Sequence, residues 1–161
     1  MLQPEVIDCL QFARGALELQ GFLGMEQLPR LAQMQCSTED LEYSLRGGLN
    51  ASGKPFLRVS AGGAMRLVCQ RCLDTFEFPL AIDVELQVTE SLREIEAADD
   101  DVDRVLASPA TDVGRLIEDE VILALPMVPR HERCVAVGAG VTAKISPFSA
   151  LAALKRGGRR Q

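Results

Sequence analysis

The chain reads as a single α+β domain in which a mainly antiparallel β-sheet, either open or curled toward a barrel, is flanked by N- and C-terminal helices. Three observations predict this. Apolar residues step by three and four near the start of the chain and again after Thr111, which is the period of a helix. Between Leu41 and Val88 they alternate with polar residues, which is the period of a half-buried strand. The alternating runs also follow one another without intervening helices, which favours antiparallel pairing over a βαβ arrangement. At 161 residues, 47% hydrophobic and 25% charged, the chain suits one domain over 1–161, and nothing repeats at a fixed period.

Val6, Cys9, Leu10, Ala13, Ala16 and Leu17 lie on one helical stripe, so a helix is expected over Val6–Leu19, stopped by Gly21. Leu28, Leu31 and Met34 predict a second, short helix within Met25–Met34. Leu41, Tyr43 and Leu45 then start a strand that Gly47 and Gly48 should break or bulge. Two further strands are expected at Phe56–Ser60 and Ala64–Val68, separated by a turn at Gly62-Gly63. Phe76, Phe78, Leu80, Ile82, Val84, Leu86 and Val88 alternate without interruption and give the clearest strand. Residues 93–103 carry Glu94, Glu96, Asp99, Asp100, Asp101 and Asp103, and read as a solvated acidic loop whose end Val105 and Leu106 anchor as a short strand. Thr111 or Asp112 should cap a helix that places Val113, Leu116, Ile117, Val121, Ala124 and Leu125 on one buried face, keeps Glu118, Asp119 and Glu120 outside, and ends at Pro126. Ser146-Pro147 opens a last helix with Phe148, Leu151 and Leu154, followed by a basic tail over 155–161.

Composition narrows the function classes. A net charge of −6 means the surface as a whole repels a phosphate backbone, so contact with nucleic acid requires a local basic patch. Five cysteines are an odd count, which argues against a disulfide framework and for a reducing compartment. The first residues lack a basic segment followed by a long apolar run, and no stretch approaches the length of a membrane span, so a cytoplasmic protein without membrane contact is expected. There is no phosphate-binding glycine loop or dinucleotide fingerprint, and the single histidine excludes a site that needs two. The run Glu118-Asp119-Glu120 does not make a catalytic carboxylate pair, because consecutive helical positions point in different directions.

The chemistry gathers at two pairs. Cys69 and Cys72 in Val-Cys-Gln-Arg-Cys-Leu stand between two strands, at a hairpin tip where backbone amides can turn toward sulfur; His131 and Cys134 repeat the two-residue gap downstream. Together they supply the four ligands of a closed tetrahedral zinc site. Zinc modules usually space their pairs by about 12–20 residues, whereas 58 residues separate Cys72 from His131, so the fold itself would have to assemble the site. Two other readings stay open. The cysteines are free buried thiols beside a surface histidine, or Cys69 and Cys72 form a thiol–disulfide couple, a motif that normally opens a helix.

Three blocks in order, Cys69-Gln-Arg-Cys-Leu73, Glu118-Asp-Glu-Val-Ile-Leu-Ala-Leu-Pro-Met-Val-Pro129 with His131 and Cys134, and Pro147-Phe148 leading to Leu151-Ala-Ala-Leu154-Lys155, resemble the bacterial YceD proteins, the large ribosomal RNA subunit accumulation proteins. The resemblance implies a cytoplasmic role in synthesis, processing or stability of 23S large-subunit rRNA, with no catalytic residues and no enzymatic activity. It also implies an upstream Cys-x-x-Cys paired with a downstream Cys or His cluster. The chain departs from the family pattern at Val135–Ile145, which is rich in small residues and not acidic.

The expected partner is large-subunit rRNA or its precursor particle, reached directly or through a ribosomal protein. Candidate interaction residues are Arg71, Arg130 and Arg133 at the cysteine pairs, with Arg66 nearby, and Lys155, Arg156, Arg159 and Arg160 in the tail. At 4% aromatic content, with no Trp and a single Tyr, stacking on unpaired bases has little material, and the acidic run suits a basic protein partner. A zinc-knuckle adaptor unrelated to rRNA is the competing expectation.

Overall fold

The computed structural model describes residues 5–98 and 100–137. The expected last helix and the tail residues Lys155, Arg156, Arg159 and Arg160 lie outside the described residues. The elements run β1 (Val6–Ile7), α1 (Cys9–Arg14), β2 (Glu18–Leu23), a 3-10 turn (Met25–Gln27), α2 (Pro29–Gln33), β3 (Leu41–Leu49), β4 (Pro55–Val68), β5 (Thr75–Thr89), α3 (Leu92–Glu96), β6 (Arg104–Leu106), β7 (Thr111–Asp112) and α4 (Val113–Ala124). Five strands form one sheet in the order β2-β3-β4-β5-β6, antiparallel except for the parallel β5–β6 pair, and β1 pairs with β7 in a separate two-stranded ribbon. Among the described residues the sheet is open, with β2 and β6 at its edges, and does not close into a barrel.

Alternation decides which face of the sheet is buried. Leu41, Tyr43 and Leu45 of β3, Leu57, Val59, Met65 and Leu67 of β4, and Leu80, Ile82 and Leu86 of β5 point inward, where they join Phe12 of α1 and Leu116, Ile117 and Val121 of α4. Fully burying each such side chain contributes about 1.5–3 kcal/mol. The opposite face is polar, with Arg58 of β4 bonded through two nitrogens to Asp83 of β5 and Arg46 of β3 bonded to Glu18 of β2.

Several expectations change. The helix expected over Val6–Leu19 is only α1: Asp8 caps it by accepting the Gln11 N–H, and the chain leaves it through Gly15 and Ala16, the latter at φ 46°. The residues beyond form β2, because Leu19 and Leu23 fit a period of two as well as the helical one. Gly47 and Gly48 neither break nor bulge β3; a Cβ on Gly47 would lie 2.4 Å from the Phe12 carbonyl oxygen, so glycine here lets α1 pack against the strand. Gly62-Gly63 is not a turn, since both pair with β5 inside one continuous 14-residue strand, with Gly63 leaving room for the Asp40 backbone. The acidic stretch begins as helix α3 rather than loop, with the Thr89 hydroxyl donating to Glu94 at 2.6 Å, before the expected short strand at β6. Finally, Glu118 is buried beneath α2 while Asp119 stays exposed.

Candidate metal centre

The β4–β5 connection builds the first half of the site. Cys69 N–H donates to the Asp74 carbonyl at 2.9 Å and Leu73 N–H to the Cys69 carbonyl at 2.9 Å, which folds Cys69–Asp74 into a tight turn with Leu73 at φ 65°. Cys69 is fully buried and Cys72 half-buried. The second half arrives from α4. Pro126 follows the last turn of that helix and the chain continues without regular structure, its Pro129 carbonyl accepting Gln70 N–H at 2.8 Å. Val137 N–H then donates to the Arg71 carbonyl at 3.1 Å, so the segment is fastened to the hairpin tip on both sides of His131 and Cys134. Phe76 at the start of β5 packs against the His131 ring, centroid to centroid 4.9 Å.

This brings all four expected ligands together: the donor atoms of Cys69, Cys72, His131 and Cys134 lie within 4.8 Å of one another. A tetrahedral zinc ion bound to sulfur at about 2.3 Å and to nitrogen at about 2.0–2.1 Å requires edges of about 3.8 Å between sulfurs and about 3.6 Å between sulfur and nitrogen. Here Cys69 Sγ and Cys134 Sγ are 3.7 Å apart, and Cys72 Sγ and His131 Nδ1 are 3.3 Å apart. The four donors fit such an ion, and with three sulfurs and one imidazole they form a closed set with no position left for substrate.

The surroundings favour thiolate at Cys69. Cys69 Sγ accepts N–H groups from Arg71 and His131, each at 3.4 Å, as a zinc knuckle does. Burial alone would push this thiol up, but the backbone amides of Cys72, His131 and Arg71 outweigh it and bring it down to about 5. Cys72 is pushed up to about 11: its bond with the Asp74 backbone acts the other way, but burial and the neighbouring sulfurs of Cys69 and Cys134 prevail. A zinc ion bound here would need its cysteine ligands as thiolates, so its binding would release protons. Arg71 Nε donates to Cys134 Sγ at 2.9 Å and Nη2 to the His131 carbonyl at 3.0 Å, so this residue, counted among the interaction candidates, turns into the cluster. Arg66, Arg130 and Arg133 are exposed. All five cysteines are free, and Cys9 and Cys36 are buried away from the cluster.

The family described as large ribosomal RNA subunit accumulation protein YceD matches residues 57–155. The chain belongs to the YceD family. The matched span takes in β4 from Leu57 onward, the cysteine turn, β5, α4 and all four metal-ligand candidates, whereas α1, β2, α2 and β3 precede it. The YceD match therefore coincides with the part of the chain that assembles the site. No solved structure matches the chain. Arg71, read from the sequence as an interaction residue and as one of the cations that favour thiolate, spends its guanidinium on Cys134 and the His131 carbonyl. No helix among the described residues is long and apolar enough to cross a membrane.

Proposed function

We propose that this YceD chain is a noncatalytic cytoplasmic factor that supports accumulation of 23S large-subunit rRNA, with one zinc ion on Cys69, Cys72, His131 and Cys134 fixing the surface it presents. The family match carries the ribosomal part of this reading, because its span encloses the whole donor cluster. The donor set supports zinc in a structural role: it offers four protein ligands and no open position. Bound there, zinc supplies a cross-link between hairpin tip and post-α4 segment. The chain's own residues do the rest: Arg71 holds Cys134 and His131 in place, and Phe76 holds the imidazole ring.

Arg130 and Arg133 adjoin His131 and Cys134 in sequence and are exposed, so they offer positive charge beside this cross-link on an acidic protein. Binding to the precursor particle would raise the population of folded, protected RNA by mass action. Depletion of the protein should lower mature large-subunit rRNA or lead to build-up of its precursors, while unchanged rRNA levels and maturation would remove the proposed role. Metal analysis of protein purified without a histidine tag should give about one zinc per chain. A reversible Cys69–Cys72 disulfide with turnover, and no zinc, would instead identify a thiol oxidoreductase.

A further inference from the structure

We infer that the outer edge of β2 and the groove beside it form a docking site for an extended, lysine- and arginine-bearing segment of a partner protein, added to the sheet as a further strand. Among the described residues β2 pairs only with β3. The Leu17 carbonyl accepts the Gly47 N–H at 2.8 Å, and the register continues as Leu19↔Leu45, Gly21↔Tyr43 and Leu23↔Leu41. In an antiparallel ladder alternate residues bond inward, so the main-chain N–H and C=O groups of Glu18, Gln20 and Phe22 point away from the sheet. Such a row is a template for an added strand. Edge strands are usually guarded by lysine, proline, a bulge or extreme shortness. The opposite edge, β6, has only three residues, but β2 reads Glu-Leu-Gln-Gly-Phe-Leu, guarded only by the charge of Glu18, which Arg46 of β3 already pairs, and with Phe22 65% exposed.

A groove of about 790 Å³ runs along this edge to the start of α4. Its walls carry Glu5, Glu26, Asp112 and Glu118 against Arg30 and Arg115, and Arg30 is already paired with Glu118 and Asp119. Carboxylates are therefore in surplus. A strand laid along Gln20 and Phe22 alternates its side chains, one set over the groove and the other beside the Phe22 ring. The surplus selects a cationic occupant, opposes nucleic acid, and opposes a second copy of the same edge, which would bring like charges together. The inference stands apart from both the rRNA reading and the metal.

The test uses the whole protein and a fluorescent peptide of alternating lysine and valine, about ten residues long so that it overhangs a typical strand. Saturable binding is expected with a Kd below roughly 1 mM, together with slowed exchange of the Gln20 and Phe22 amides. Gln20→Pro removes an outward N–H and leaves the β3 ladder intact, and should weaken binding at least about tenfold. Phe22→Ser, at an exposed position, should weaken it as well without the backbone change. An alternating glutamate–valine peptide and a single-stranded RNA oligomer should not compete. The inference is overturned by absence of saturable binding, by equal binding of the glutamate peptide or the RNA, or by full retention of binding in both variants. It is also overturned if the Gln20 and Phe22 amides are already protected in the free protein, by its own chain or by a second copy.

Discussion

Replacing Glu118 by alanine should lower the unfolding free energy by about 2–6 kcal/mol, the cost of leaving two buried backbone amides without an acceptor. The carboxylate is 2% exposed and accepts three hydrogen bonds: Arg30 N–H at 2.7 Å, Leu31 N–H at 3.1 Å and Arg30 Nε at 2.8 Å. The first two are orphan amides of the α2 N-terminus. Leu28 stands at the N-cap of that helix and has no side-chain acceptor to offer, so Glu118 reaches across from α4 to fill the role. Truncation leaves both amides beside the fully buried Leu28 and Leu31, at about 1–3 kcal/mol for each unsatisfied group. The Arg30 side chain adds little, because it is 38% exposed and keeps Asp119. Glu118→Gln retains an acceptor oxygen and should lose about half as much. Urea unfolding with an unchanged slope reads these differences, against a total of about 5–15 kcal/mol for a domain. Asp119→Ala is the control and should cost less than about 1 kcal/mol. A Glu118→Ala loss below about 1 kcal/mol, or one equal to that of Asp119→Ala, would refute the capping argument.

Gly47→Ala should destabilise by about 1–3 kcal/mol, because the new methyl would lie 2.4 Å from the Phe12 carbonyl oxygen and 2.7 Å from the Ala13 Cα, and backbone must move; an unchanged thermal midpoint would contradict this packing. Chelation of the metal should speed exchange at the Gln70 and Val137 amides, which tie the segment after α4 to the hairpin tip, while the inward residues of β3 and β4 keep their protection. Complete unfolding on chelation would show that the sheet depends on the ion. Arg104 hydrogen bonds hold the Asp100 carboxyl down at about 2; an NMR titration should find it there, and Arg104→Gln should return it toward about 3.9. Since the folded value lies below the unfolded one, that contribution to stability is whole above about pH 4 and fades as pH falls toward 2.

The sequence spoke most clearly where local signals agreed with tertiary ones. A Cys-x-x-Cys between two alternating runs has little choice but a hairpin tip, and Asp112 ahead of an apolar stripe caps α4 as expected, accepting the Arg115 N–H at 3.0 Å. What stayed hidden depended on partners remote in sequence. Leu19 and Leu23 satisfy both periods, and pairing with β3 decides for a strand. Gly62 and Gly63 carry a turn signal that the ladder with Ala81 and Leu80 overrides. Glu118 sits in an acidic run that reads as a solvated face; only the nearness of α2, whose sequence offers no cap of its own, makes it a buried acceptor. The 58-residue gap between the ligand pairs closes for a similar reason, because β5 leads away from the hairpin tip and the chain returns through α4 before reaching His131.

The helix α4 sets the acidic groove apart from the arginines that adjoin the candidate metal ligands. Its first residues, with Asp112 just ahead, help line the acidic groove, and its last turn leads through Leu125 and Pro126 to the segment bearing Arg130, His131, Arg133 and Cys134. Twelve residues of helix set those ends about 18 Å apart, farther than the Debye length of about 8 Å at physiological salt. Carboxylates of the groove are therefore largely screened from the far end of the helix. A net charge of −6 does not by itself exclude RNA contact, and a cationic protein segment at the β2 edge would not compete with it. One face of α4, through Val113, Leu116, Ile117 and Val121, is buried against the sheet, which makes the separation a rigid one, and the Gln70 and Val137 hydrogen bonds fix the direction in which the segment after it is presented.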